Sequence, residues 1–191
     1  MAHTSKLKKY QLEKFDYYKT INEYYMKDGR AYISVNVNTI NDIISKYSVK
    51  NDEVLNPEFM HYIETNASYI PDEYPLTLEI CNHTFSKEEK EIINKVIKNH
   101  YRISLFNKQN ELKISKRRCK LLFLSGLGIL FIYSLMIYIT FFNILREIFS
   151  LLFCFSMWET ADIMIFHHDA INENIIDLEN LSEMEIIFRE D

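Results

Sequence analysis

Leu121 to Phe142 reads LLFLSGLGILFIYSLMIYITFF, 22 residues without a charged side chain. At ~1.5 Å of rise per residue, a helix of that length covers roughly 33 Å, enough for a bilayer hydrocarbon core of ~30 Å. A chain of 191 residues has no core large enough to surround such a helix on every face, so lipid is the solvent that fits it. The stretch predicts a first transmembrane helix over residues 121–142.

A second apolar stretch follows, Ile148 to Phe166, interrupted only by Glu159 and Asp162. Its length allows a second crossing, while two carboxylates in one span also fit a re-entrant or surface-lying segment. Their place nearer one end favours the crossing. Residues 143–147 then serve as a short extracytoplasmic turn, and the two spans form an antiparallel hairpin. Lys113, Lys116, Arg117, Arg118 and Lys120 precede the first span, and by the positive-inside rule that end faces the cytoplasm. Both termini are expected on that side, in a multi-pass protein of the cell membrane.

With 22 basic against 27 acidic side chains the net charge is -5, so no nucleic-acid partner is expected. The three glycines, Gly29, Gly126 and Gly128, form no Walker loop, dinucleotide fingerprint or nucleophile elbow. Cys81, Cys119 and Cys154 are too widely spaced for a disulfide framework or a zinc site. Lysines alternate with aromatics from Met1 to Tyr25, with none of the apolar core that a signal peptide needs.

Outside the apolar stretches the patterning is that of a mixed domain. Arg30 to Val37 and Pro75 to Cys81 alternate as strands. Pro57 opens a helix that carries Phe59, Met60, Tyr62 and Ile63, and Ser86 with Glu89 forms a capping box before a helix with a stripe of Ile92, Ile93, Val96 and Ile97. Tyr101 to Arg118 reads as a stiff helical stalk running into the first span. Met184 to Phe188 is a short apolar run that fits a returning strand.

The expected architecture is a two-helix transmembrane hairpin plus a small cytoplasmic α/β domain of three or four strands, with helices on one face. Residues 1–28 form an amphipathic or flexible N-terminal segment, 29–112 the domain, 113–120 a basic juxtamembrane stalk, 148–166 the second span and 167–191 an acidic tail. The first 120 residues carry 20 basic and 16 acidic side chains, the last 71 carry 2 and 11. The tail therefore either docks on the domain or stays solvated.

The strand at Ala31 to Val37, LNPEFMHYI at 55–63, YPLTLEI at 74–80, FSKEEKEII at 85–93 and EIFSLLFCFSMWETADIMIF at 147–166 resemble a group of uncharacterised bacterial two-span membrane proteins. In that group the second apolar segment similarly carries a tryptophan followed by a polar residue, here Trp158-Glu159. The resemblance implies the architecture and a bacterial source, and attaches no activity.

The sharpest chemical feature is the pair Glu159 and Asp162. Three residues apart on a helix, they share one face, and Trp158 adjoins them as a packing or interfacial aromatic. In an antiparallel hairpin they lie beside Arg117, Arg118 and Lys120, whose side chains can snorkel to pair with them. The other two readings are a proton or cation path and a contact with a partner's transmembrane helix. Adjacent His167 and His168 point to different helix faces and make a poor metal pair, and no catalytic, metal or cofactor site emerges. The function favoured is a non-enzymatic, membrane-anchored interaction or accessory module, whose partners are the lipid bilayer and either a protein or a second copy of the chain. The alternative is an oligomeric ion-permeability or transport component that uses Glu159 and Asp162.

Overall fold

The computed structural model describes residues 25–27, 29–50, 52–81, 85–136 and 143–189. The N-terminal segment expected over residues 1–28 lies almost wholly outside these residues, as do His83 and the last six residues of the first apolar stretch. The chain divides into two compact units, Met1–Leu105 with Ile176–Asp191, and Phe106–Ile175.

The first unit is built on a four-stranded sheet in the order β1-β2-β3-β4. β1 (Met26–Lys27) runs antiparallel to β2 (Arg30–Asn36). Between them Gly29 has φ 74, a backbone conformation that costs other residues a clash at Cβ. β2 is followed by α1 (Ile40–Ile43) and α2 (Pro57–Ser68), then β3 (Leu76–Cys81) pairs parallel to β2. Asn56 caps α2 by accepting from the Glu58 amide at 3.0 Å, with Pro57 in the first turn where its missing N–H costs nothing.

α3 (Lys87–Met136) is a single helix of 50 residues, so the stalk expected to begin at Tyr101 is continuous with the helix before it. Its start is the expected capping box. The Ser86 amide donates to the Glu89 carboxylate at 2.8 Å, and the Glu89 amide donates to the Ser86 hydroxyl at 3.2 Å. The buried stripe is Ile93, Val96, Ile97 and Tyr101, and not Ile92, which is 37% exposed. A stripe repeating at three and four residues advances from Ile93 to Ile97 to Tyr101 and leaves Ile92 on its flank.

α4 (Asn143–Asp162) begins where the sequence suggested a turn. Asn143–Glu147 is its first turn and a half; the segment holds no glycine or proline to stop a helix, and Leu145, Arg146 and Glu147 are good helix formers. A five-residue π segment, Ile163–His167, follows without a break, and then α5 (His168–Glu183). The acidic tail is thus neither free nor irregular. It is a helix, after which β4 (Glu185–Arg189) pairs parallel to β3.

The apolar face of the sheet presents Ala31 and Ile33 from β2 and Leu76, Leu78 and Ile80 from β3, all buried, with Phe59, Ile63, Ile93 and Ile97 in the same cluster. Fully burying each of the leucine, isoleucine and phenylalanine side chains contributes about 1.5–3 kcal/mol. Polar side chains on the opposite face pair across strands. Arg30 bonds Thr77 at 3.2 Å and pairs with Glu185 at 3.0 Å, while the Ser34 hydroxyl donates to Glu79 at 2.7 Å and Arg189 reaches the same carboxylate at 3.3 Å. The charge complementarity between the basic N-terminal and acidic C-terminal parts of the sequence is realised at Arg30 with Glu185. At Glu79 and Arg189 the signs are reversed.

Candidate functional site

In the second unit the C-terminal part of α3 and α4 lie side by side and antiparallel. Small residues make the contact. The Ser156 hydroxyl donates to the Leu122 carbonyl at 2.8 Å and lies 3.4 Å from the Ser125 hydroxyl, and the Cys119 thiol donates to the Thr160 carbonyl at 3.8 Å. Ser115, Gly126 and Thr160 are buried. A Cβ on Gly126 would run into Met157 and lie 3.1 Å from the Ser156 hydroxyl, so the absent side chain is what lets the helices approach. Helices in lipid associate by this kind of close packing, since burying apolar surface against each other gains nothing there.

Beyond Cys119 and Thr160 the helices open into a polar groove of about 550 Å³. One wall is a stripe of α3 that includes Asn107, Asn110, Glu111, Ser115 and Arg118, and the other carries Glu159, Asp162, Ile163 and His167. Each set recurs at three and four residues, one face per helix. The π segment forms part of the second wall, and the His168 amide donates to the Ile163 carbonyl five residues back. The register set by Cys119 with Thr160 and Leu122 with Ser156 brings Glu159 level with Lys120, and Asp162 level with Arg117.

The groove joins only some of the expected site residues. Glu159, Asp162 and Arg118 line it together, yet among the described residues no ion pair within 4 Å joins either carboxylate to Arg117, Arg118 or Lys120. Arg117 and Lys120 are exposed on other faces of α3, about 100° of helix away from their neighbours in sequence. Trp158 is 76% exposed and lies with Leu151, Cys154 and Phe155 on an outward apolar face, away from the carboxylates.

Glu111 was not singled out from sequence, though the spacing of Glu111, Ser115 and Arg118 carries the signal; His167, weighed there only as a metal ligand, lines the groove as well. Lys108 donates to the Glu111 carboxylate at 2.8 Å, and that hydrogen bond holds the carboxyl below its usual range, with His167 adding to the effect. Among the described residues no three His, Cys, Asp or Glu side chains are arranged to hold a metal ion.

A second set of titratable groups lies in the first unit. Burial raises the Glu64 carboxyl above its ordinary 4.5, opposed in part by His61, and burial lowers His100 below 6.5. Burial and the nearby Glu64 charge raise the Tyr101 phenol, whose hydroxyl is buried without a hydrogen-bond partner. Asn66, which begins a glycosylation-type triplet, lies within α2, and its side-chain amide donates to the Tyr62 carbonyl at 2.6 Å.

No protein family, curated protein or solved structure matches the chain. The likeness to bacterial two-span proteins gains no support from these comparisons.

Proposed function

We propose that the antiparallel helices insert into a membrane and anchor a cytoplasmic α/β domain, and that the protein works as a non-enzymatic interaction or accessory module. The observation that carries this reading is the outward apolar surface of the hairpin. Only 6% and 11% of the most apolar stretches of its two helices is buried, whereas the helix stripe on the sheet is almost wholly enclosed. A soluble core helix has the opposite profile, and an exposed apolar surface of this length is costly in water. The basic residues Lys113 to Lys120 favour a cytoplasmic location for both flanks of the hairpin.

An oligomeric permeation path through Glu159 and Asp162 is the second reading. The register sets both carboxylates level with Lys120 and Arg117, at the edge of the apolar stretch rather than along its length, which favours anchoring. Ion flux into proteoliposomes holding the full chain tests the two. Anchoring predicts no flux above empty vesicles, and flux that Glu159→Gln abolishes would overturn it.

A further inference from the structure

We propose that the groove between α3 and α4 holds the headgroup of an amine-bearing phospholipid, phosphatidylethanolamine in particular; the proposal rests on the membrane reading above. Three observations carry it. First, the helix register puts Glu159 level with Lys120, the last charge before the apolar stretch, which is the depth at which a bilayer carries its headgroups. Second, an arginine faces a pair of carboxylates across the groove, with Glu111 beside the arginine and His167 beside the carboxylates. Arg118 stands on the α3 wall, and Glu159 and Asp162 stand on the facing wall. The remaining carboxylate, Glu111, is already engaged by Lys108. Third, about 550 Å³ lies within the range of small-ligand sites, roughly 300–1,000 Å³.

A phosphoethanolamine group matches this arrangement. Its phosphate takes charge-assisted hydrogen bonds from the Arg118 guanidinium, and its primary ammonium donates three N–H bonds toward Glu159 and Asp162. A choline headgroup has no N–H to donate, and a glycerol headgroup has no positive charge. Unlike a simple cation, the zwitterion satisfies both walls, whereas a metal ion meets repulsion from Arg118. The acyl chains then run along the exposed apolar faces of the hairpin, on the side of Leu121 and away from the charged end.

The test uses the full chain in mild detergent, challenged with equal amounts of phosphatidylethanolamine, phosphatidylcholine and phosphatidylglycerol, with bound lipid read by native mass spectrometry. The expected result is ethanolamine lipid retained about fivefold or more over choline lipid, what a partly exposed charge-assisted hydrogen bond supplies. Glu159→Gln with Asp162→Asn abolishes the preference, Arg118→Gln weakens retention of all three lipids, and Arg117→Gln, outside the groove, changes neither. Equal retention by the parent, or a preference that survives the double variant, overturns the proposal. If the double variant loses native helicity by circular dichroism, Glu159→Gln alone is read in its place. Displacement of the lipid by water-soluble glycerophosphoethanolamine at equal concentration would also overturn it, assigning the groove to a soluble ligand. Flotation with choline-lipid vesicles tests membrane insertion apart from headgroup binding. A chain that floats without headgroup preference loses only the groove proposal, and one that floats with no vesicle loses the membrane reading as well.

Discussion

The Ser156 hydroxyl donates a 2.8 Å hydrogen bond to the main-chain carbonyl of Leu122. One α4 side chain thereby grips the backbone of α3 at the start of the apolar stretch and sets the register of everything below it. The polar groove, the level of Glu159 and the outward position of Trp158 all follow from that register.

Close approach beside this bond depends on Gly126. Gly126→Leu pushes against Met157 and Ser156 and is expected to destabilise the hairpin by about 1–3 kcal/mol. Nothing lies within 4 Å of a Cβ on Gly128, so Gly128→Leu is expected to be neutral or stabilising by up to ~1 kcal/mol through helix propensity. Thermal unfolding of the two variants in the same detergent compares them; equal loss at both sites would contradict the packing.

Cysteine pairing checks the register independently. With the native cysteines replaced by serine, Ser125→Cys and Ser156→Cys are expected to form a disulfide under mild oxidation, because the two hydroxyls lie 3.4 Å apart. Ser134→Cys with Ser156→Cys stays reduced, Ser134 lying about two and a half turns further along α3 than Ser125. A mobility shift on non-reducing gels reads both pairs, and reversal of their order would show a different helix register.

The polar side of the sheet is expected to matter for stability. Glu79 is almost fully buried, with Arg189 at 3.3 Å and Ser34 at 2.7 Å. Arg189→Met leaves a buried carboxylate without its cation and is expected to cost about 1–3 kcal/mol. Adding Glu79→Gln should recover part of that loss, since it removes the stranded charge. Denaturant unfolding of the single and double variants gives the coupling, and strictly additive losses would show that the pair does not act as one.

Glu64 supplies a pH dependence of known sign. Its folded-state carboxyl is raised above 4.5 by burial, so it contributes most to stability below its unfolded value and loses that contribution as pH rises through the folded one. Glu64→Gln is therefore expected to raise the melting temperature at pH 7 and to have little effect below pH 4.5. His100, lowered by burial, runs the other way, its contribution being present above pH 6.5 and lost as pH falls. Melting curves at pH 4 and pH 7 separate the two groups; a Glu64→Gln gain that is larger at pH 4 would contradict the assignment.

Much of the fold was legible because its signals are local. Ser86 with Glu89, Asn56 with Pro57 and the alternation of Leu76, Leu78 and Ile80 each fix a helix start or a strand face within a few residues. What escaped the sequence depends on contacts between distant residues. Asn143–Glu147 has the composition of a helix, but expecting a turn between two spans placed the connection there. Arg118, Glu159 and Asp162 line one groove, an arrangement that depends on how two helices pack at Gly126 and Ser156, which no spacing within one helix contains. The polar pairs Arg30–Glu185 and Arg189–Glu79 depend on which strands become neighbours, and no pattern within one strand contains that.

Lipid around the hairpin is directly measurable. In vesicles carrying the full chain, nitroxide labels at Phe131→Cys, Phe155→Cys, Lys113→Cys and Asp169→Cys report local access to oxygen and to a water-soluble nickel chelate. Both phenylalanine positions are exposed on the hairpin, and both are expected to be rich in oxygen and shielded from nickel, while Lys113 and Asp169 show the reverse. Equal nickel access at all four positions would place the helices in water and contradict the account.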